Sequence, residues 1–182
     1  MVEVLDADVA EVEALADVAA RTFPLACPPS LPTEDIAAFI AANLSRESFT
    51  AYLADPDRRI LVARDSGGPI LGYAMVVRGV LDDADVQRAV PDRPAVELSK
   101  MYALPEVHGS GVAAALMERS LQLAGELDAR CVWLGVNQEN LRAQRFYAKH
   151  GFAVTGTKTF HVGSRVEHDY VMVRALDVTN PS

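Results

Sequence analysis

Cysteine and positive charge are both scarce in this chain. Its 182 residues include two cysteines, Cys27 and Cys131, which are too few for a disulfide framework. Lys and Arg number 17 against 25 Asp and Glu, and the net charge of −8 argues against a nucleic-acid partner, for which a basic patch is expected. No apolar run is long enough to span a bilayer, and the acidic N-terminus is unlike a signal or transit peptide. We therefore expect a cytoplasmic protein with no membrane partner.

Alternating strand and helix patterns predict one α/β domain. The chain is 50% hydrophobic, which suffices for a core. Helices are predicted from Asp8 to Arg21, from Thr33 and over 46–53, and a proline-rich loop is predicted over 23–32. A hairpin over 59–80 follows, and two strands around a turn at Gly163 close the sequence.

A glycine-punctuated turn follows a strand that ends at Pro105. The turn reads His108-Gly109-Ser110-Gly111-Val112-Ala113 and runs directly into an Ala/Leu/Met-rich helix. Glycines let a ligand approach the backbone, and the unpaired N–H groups at a helix start favour an anion. The segment is typical of a phosphate cradle, although a tight turn alone explains the same glycines. It is neither a Walker P-loop nor a dinucleotide fingerprint.

A second strand and helix follow over 131–151. The strand is predicted over 131–136, Asn137 is predicted to cap the helix, and Gly151 follows its end. Together the two segments resemble the GCN5-related N-acetyltransferase (GNAT) family, through the His-Gly-Ser-Gly-Val-Ala turn and through Asn140, Ala143, Phe146, Tyr147, Gly151 and Phe152. The C-terminal part, with Gly156, Phe160, Gly163, Asp169 and Met172, is similar to bacterial spermidine-type polyamine acetyltransferases.

The resemblance implies a single-domain GNAT-type fold. Such a fold has a mixed, mostly antiparallel twisted sheet with a central splayed parallel strand pair and helices on both faces. The whole chain, 1–182, would be one N-acetyltransferase domain, with the N-terminal strand and substrate-side helices over 1–58, the acetyl-CoA-binding core over 59–176 and a tail over 177–182.

The resemblance also implies acetyl-CoA as co-substrate, with no metal. The pantetheine arm would pair with backbone at Met101, Tyr102, Ala103 and Leu104, and the pyrophosphate would meet the amides of Gly109, Ser110, Gly111, Val112, Ala113 and Ala114. Asn140 would bond the arm, or it simply caps the helix. The family usually has Gln or Arg where His108 stands, and a neutral imidazole offers no fixed charge.

Three residues are the candidates for catalysis. Glu97 matches the general base of histone-type members, the backbone N–H of Met101 would be the oxyanion donor, and Tyr147 would protonate the leaving thiolate. Each residue has a plainer interpretation. Glu97 fits a solvated strand-end charge, whereas Met101 and Tyr147 fit core packing.

The leading hypothesis is acetyl transfer to a primary amine of a small molecule, with polyamines among the candidates. The substrate pocket would lie near the loop over 23–32 and the turn over 161–167, with carboxylates from Glu34, Asp35, Asp82, Asp83 and Glu167. A protein N-terminus or lysine, an antibiotic amine, a non-catalytic acyl-CoA-binding module and an unrelated α/β ligand site remain open, as does a homodimer.

Overall fold

The computed structural model describes residues 1–177, so all but the first residue of the tail predicted over 177–182 lies outside the described residues. The strands are β1 Val2–Asp6, β2 Arg58–Asp65, β3 Ile70–Arg78, β4 Ala95–Ala103, β5 Cys131–Asn137, β6 Ala153–Val162 and β7 Arg165–Ala175. The helices are α1 Val12–Ala26, α2 Thr33–Asn43, α3 Arg46–Ala54, α4 Ala84–Ala89, α5 Val112–Glu126 and α6 Leu141–Lys149. Short 3-10 turns, Val9–Glu11 and Pro105–Val107, precede α1 and α5.

The strands form one seven-stranded sheet in the order β1-β2-β3-β4-β5-β7-β6. The β4–β5 pair is parallel, and the other neighbouring pairs are antiparallel. The predicted fold class is therefore confirmed: a mostly antiparallel sheet contains one central parallel pair.

The parallel pair separates after three rungs. Ala95, Val96 and Glu97 pair with Cys131, Val132 and Trp133, and beyond them the two strands have no mutual pairing. On the β3 side, Met75 pairs with Lys100 and Val76 with Leu98, which leaves Ser99 as the extra residue of a β-bulge. A bulge bends its strand, and β5 stays paired with β7 along its whole length, so β4 diverges from β5.

Helices cover both faces of the sheet. On the face that we call the α5/α6 face, Leu116, Met117 and Leu123 pack on Leu98 and Leu134. The opposite face, called the α1–α3 face, carries the core of α1 and α3 around Leu15, Phe49 and Tyr73. Because strand side chains alternate, Met101 and Ala103 lie on the α5/α6 face and Tyr102 lies on the α1–α3 face.

Three local predictions were wrong. The helix α1 continues through Pro24 to Ala26, where a loop was predicted; Pro24 lies in the last turn, and Cys27 N–H bonds its carbonyl at 3.2 Å. The cap of α6 is Asn140, whose Oδ1 accepts from Ala143 N–H at 3.2 Å, and not Asn137. The helix predicted from Gly109 begins at Val112, because the residues before it form a 3-10 turn and left-handed glycines.

Within residues 1–177, no helix is both long enough and apolar enough to cross a membrane.

Candidate active site

A cleft of about 340 Å³ opens where β4 and β5 separate. On the α5/α6 face it is lined by Met101, Ala103, Ala113, Asn140, Ala143, Phe146 and Tyr147. On the α1–α3 face it is lined by side chains from α1, α2 and strands β4 to β7, among them Phe23, Phe39, Glu97, Lys100, Phe160 and Asp169. The split therefore makes one continuous passage between the two faces of the sheet.

The turn before α5 presents backbone rather than side chains. Gly109 and Gly111 have φ of +83° and +93°, and an added Cβ at either would meet no atom within 4 Å. The first hydrogen bond of α5 runs from Ala115 N–H to the Gly111 carbonyl at 3.0 Å. The amides just before Ala115 therefore have no hydrogen-bond partner within the helix. Ser110 donates both its N–H and its hydroxyl to the Val107 carbonyl, which fixes the turn. The open space over this helix start suits an anion.

His108 lies against the end of β4. Its Nε2 is 3.1 Å from the Ala103 carbonyl oxygen, to which it donates in the tautomer that carries the proton on Nε2. The ring also lines the cleft, so it ties the turn to the strand on which the pantetheine was predicted to lie.

The exposed edge of β4 runs through the cleft. Met101, Tyr102 and Ala103 line it, and on the β5 side this stretch has no strand partner among the described residues. Two of the predicted backbone contacts are already engaged: Leu104 N–H donates to the Leu71 carbonyl at 2.9 Å, and the Ala103 carbonyl lies 3.1 Å from His108 Nε2. An extended ligand could add to this edge as a further strand would.

Tyr147 lies on α6 within the cleft lining of the α5/α6 face. Its ring packs edge-on against Phe146 and Phe152, with centroids 5.6 and 5.9 Å away. Burial raises the pKa of Tyr147 to about 12, so the phenol keeps its proton at neutral pH. No other residue of the described chain hydrogen-bonds this hydroxyl, which leaves it free for a ligand in the cleft.

Glu97 and Lys100 point to the α1–α3 face. Burial raises the pKa of Glu97, while the charges of Lys158, Lys100 and Arg58 pull it back down. Burial also lowers the pKa of Lys100 to about 8, and Glu97 opposes that shift. The ammonium of Lys100 lies 5.7 Å from the centre of the Tyr52 ring. A half-buried carboxylate with a raised pKa is a better proton acceptor than an exposed one.

A buried ion pair forms the cleft floor beside these groups. Lys158 Nζ is 3.2 Å from Asp169 Oδ2, and the two side chains are 9% and 8% exposed. Gly135 makes room for the pair, because an added Cβ would lie 2.4 Å from Lys158 Cε. Sequence reasoning missed Lys100, Lys158 and this use of Gly135. The burial of Asp169 could have been predicted, since strand alternation places it on the same face as the core residue Val171.

Among the carboxylates predicted for the substrate, Glu167 lines the cleft; its Oε2 accepts from Asn137 Nδ2 at 3.4 Å. Asp35 instead accepts from Ser164 N–H at 3.3 Å, and Asp83 caps α4. Glu34, Asp35, Asp82 and Asp83 are not part of the cleft lining. Among residues 1–177, no cluster of three His, Cys, Asp or Glu side chains could hold a metal ion.

This arrangement separates two kinds of group across one passage. A protonated phenol lies on the α5/α6 face with the glycine turn, and a half-buried carboxylate lies on the opposite face. A donor bound on the first face and a nucleophile bound on the second would meet at the split, which is the geometry of a group transfer between two bound molecules.

Known proteins share this architecture and sequence. Residues 13–152 match the family model described as acetyltransferase (GNAT) family. The chain belongs to the GNAT family of N-acetyltransferases and is an acyltransferase. It is 56% identical over 166 residues to an uncharacterized N-acetyltransferase of Mycobacterium tuberculosis, which covers 91% of this chain and 98% of the relative. Over 90 residues it is 33% identical to the peptidyl-lysine N-acetyltransferase YjaB of Escherichia coli, covering 44% of this chain and 58% of that protein.

A solved structure has the same fold. The PaiA N-acetyltransferase from Thermoplasma acidophilum, crystallised in complex with coenzyme A, aligns with a TM-score of 0.75 over 97% of this chain and 99% of its own. The identity is 18%, so the likeness concerns the fold.

Proposed function

We propose that the protein acetylates the primary amine of a small molecule, taking the acetyl group directly from acetyl-CoA while both substrates are bound. The observation that carries this proposal is the passage through the sheet at the β4–β5 split, with Tyr147 on one face and Glu97 on the other. Acetyl-CoA supplies an activated acyl group on a thioester.

The donor side would hold acetyl-CoA by backbone contacts. An added Cβ at Gly109 or Gly111 would meet no atom within 4 Å, so the backbone is open there, and the amides of Gly109 to Ala114 would bind the pyrophosphate, except that Ser110 N–H already bonds Val107. Residues 101–103 of β4 would pair with the pantetheine arm, and Met101 N–H is the proposed donor to the developing oxyanion. Asn140 Nδ2 remains available to a ligand, because only its Oδ1 serves the helix cap.

Proton movements follow from the two pKa shifts. An alkylammonium has a pKa of about 10, so the acceptor must lose a proton before it attacks. Glu97 is the proposed acceptor of that proton, since burial makes its carboxylate more basic. Tyr147 Oη holds a proton up to a pH of about 12 and is the proposed donor beside the departing sulfur. Burial in the same cleft also raises the pKa of the leaving thiol. The difference between the phenol and thiol pKa values is therefore smaller than it would be for a thiol in water.

The acceptor is proposed to be small because helices cover the cleft on the α1–α3 face. Residues of α1 and α2 and of the segment between them, including Phe23, Leu31 and Phe39, lie over the sheet there. Polyamines, favoured by the C-terminal sequence motifs, are one class of small amine that this proposal admits. The unpaired cysteines Cys27 and Cys131 support the proposed cytoplasmic setting.

The proposal is tested by mixing the protein with acetyl-CoA and single amines, and by measuring released thiol and the mass of the product. Hexylamine, spermidine, an aminoglycoside and a peptide with a free N-terminus and one lysine separate the classes of acceptor. We expect one thiol for each N-acetylated small amine. Tight acetyl-CoA binding with no product from any amine would instead indicate a non-catalytic acyl-CoA-binding module.

A further inference from the structure

The acceptor half of the cleft, meaning its part on the α1–α3 face, contains a tyrosine side chain that the proposed reaction does not use. Tyr102 follows Met101 on β4 and lines the cleft. Strand alternation places the Tyr102 side chain on the α1–α3 face, whereas the Met101 side chain lies on the α5/α6 face. The phenol therefore projects into the acceptor half beside the backbone N–H that is proposed to bind the oxyanion.

The main chain of β4 faces the split at Met101. Leu104 N–H donates to the Leu71 carbonyl, and along an antiparallel pair successive residues point their main-chain groups alternately towards and away from the partner strand. The main-chain groups of Met101 therefore point away from β3, into the gap beside β5. A nucleophile that reaches a thioester held at Met101 N–H from the acceptor half passes the two side chains that flank Met101 on this face, Lys100 and Tyr102.

The Tyr102 hydroxyl is held in position but has no partner. Its ring lies against the ring of Tyr73, the opposite residue on β3, with centroids 5.9 Å apart. No described residue hydrogen-bonds Tyr102 Oη. Burial raises the pKa of Tyr102, and the nearby Tyr147, Cys27 and Asp169 raise it further, so the phenol keeps its proton at neutral pH. Those three groups all line the cleft, which places the hydroxyl among them.

Lys100, on the other side of Met101, is less suited to meet the nucleophile. Its ammonium lies 5.7 Å from the centre of the Tyr52 ring, and Tyr52 is not part of the cleft lining. A charged ammonium also has no lone pair with which to accept an N–H group, whereas a phenol oxygen accepts as well as donates. Of the two flanking side chains, Tyr102 is the one that fits an incoming amine.

We propose that Tyr102 Oη accepts a hydrogen bond from the reacting nitrogen of the acceptor amine and so aims the nitrogen lone pair at the thioester carbon. This inference rests on the proposed function and adds a residue that contacts the acceptor. The amine attacks with two N–H groups, of which one remains in the amide product and the other leaves as a proton to water after the C–N bond forms. Tyr102 holds the first of these. The nitrogen gains positive charge as the bond forms, so this hydrogen bond is stronger in the transition state than in the bound substrate.

Tyr102→Phe tests the assignment because it removes only the hydroxyl and keeps the ring against Tyr73. With the amine that is turned over fastest, we expect kcat/KM to fall at least about 10-fold, while the acetyl-CoA dissociation constant stays within about twofold. Tyr73→Phe is the matched control, since its buried hydroxyl has no hydrogen-bond partner among the described residues and lies outside the cleft lining. Its kcat/KM should be unchanged. Unchanged kcat/KM in Tyr102→Phe would overturn the inference and leave the acetyltransferase proposal intact.

N-methylation of the acceptor separates a contact with the substrate from an effect on the fold. A secondary amine such as N-methylhexylamine lacks the N–H group that Tyr102 holds, and a site built to bind such a group discriminates against the analogue without it. Tyr102→Phe should therefore lower kcat/KM for the primary amine at least about 10-fold and change that for its N-methyl derivative by less than about threefold. Equal losses for both amines would show that the hydroxyl acts only through the structure, which would overturn the inference. Acetyl-CoA binding without product from any amine would overturn both the inference and the proposed function.

Discussion

Glu97 of β4 pairs with Trp133 of β5, and this is the last rung of the parallel ladder between the two strands. The carboxylate proposed as the proton acceptor therefore lies at the point where the sheet opens. Trp133 anchors that point, because its ring is fully buried and its Nε1 donates to the Gly79 carbonyl at 3.0 Å. The opening and the proposed base are thus fixed by the same pair of residues.

Gly111→Val should abolish acetyl-CoA binding. Gly111 has a φ of +93°, which a β-branched residue adopts only with strain, and the new side chain would fill the open space over the helix start. We expect the dissociation constant, measured by calorimetry, to rise at least about 100-fold, which corresponds to about 2.8 kcal/mol. Gly67→Val is the matched control, since Gly67 also has a positive φ, of +78°, but lies in the β2–β3 turn away from the cleft. Equal losses of affinity in both variants would mean that Gly111 matters only through strain.

Tyr147→Phe should lower kcat by at least about 100-fold, as is typical for the loss of a general acid. Acetyl-CoA affinity should stay within about twofold, because the ring and its packing on Phe146 and Phe152 remain. Tyr170→Phe, at a tyrosine outside the cleft lining, serves as the control and should be silent. A parallel loss of affinity in Tyr147→Phe would assign the hydroxyl to binding rather than to proton transfer.

The raised pKa of Glu97 should appear in the pH dependence of kcat/KM. The carboxylate accepts a proton only when ionised, so the rate should rise with pH through the Glu97 pKa, which lies above the ordinary value of 4.5. Lys100→Met removes a nearby cation that lowers this pKa, so the rising limb should move to higher pH. Glu97→Gln should remove the limb and lower kcat/KM by at least about 100-fold. If the rise of kcat/KM stays at the same pH in Lys100→Met, the charge of Lys100 does not act on the pKa of Glu97.

The raised pKa of Glu97 also predicts that this residue destabilises the fold at high pH. A carboxyl whose pKa is higher in the folded chain than in the unfolded one contributes stability that is fully present below the unfolded pKa and is lost as pH rises through the folded pKa. Glu97→Gln is free of this loss. We therefore expect the variant to unfold at higher temperature than the wild-type protein at pH 8, and the difference to shrink towards pH 4. A variant less stable than the wild type at pH 8 would show that Glu97 stabilises the fold at that pH instead of destabilising it.

Gly135→Ala tests the buried ion pair. The new methyl group would lie 2.4 Å from Lys158 Cε and 3.1 Å from Asp169 Oδ2, so the end of the flexible lysine must shift relative to Asp169. Because this weakens the buried ion pair without removing either charge, we expect the free energy of unfolding to fall by about 1 kcal/mol and kcat/KM to fall at least about 10-fold. Gly125→Ala, in the last turn of α5 with nothing near its Cβ, should be neutral or slightly stabilising. Full activity in Gly135→Ala would show that the ion pair does not act on the acceptor.

The order of elements and the donor side of the cleft could be predicted from sequence because their signals are local. Gly109, Gly111 and Tyr147 belong to compact motifs; Tyr147 lines the cleft, whereas the two glycines are not part of its lining and lie between His108 and Ala113, which are. The β-bulge at Ser99 could not be predicted, since it exists only in the pairing of β4 with β3. The prediction of Asn137 as the helix cap was wrong for a related reason. Either asparagine can cap a helix, and only the folded chain shows that Asn137 belongs to β5 and bonds Glu167.

The acceptor side was the least predictable part. Lys158 meets Asp169 across the last two strands, and Gly135 admits their contact from a third strand. Such an arrangement depends on strand register, which no single segment of the sequence contains. For the same reason the aromatic wall, formed by Phe23 of α1, Phe39 of α2 and Phe160 of β6, became visible only in the folded chain.

Hydrogen–deuterium exchange of the protein with and without acetyl-CoA tests most directly whether the split strand holds the donor. We predict slower exchange in peptides that cover residues 100–104 of β4 and 109–115 before and within α5, with little change in β1 and β2. Binding of acetyl-CoA that leaves both of these peptides unprotected, or that protects another part of the sheet instead, would contradict the placement of the donor in the β4–β5 split.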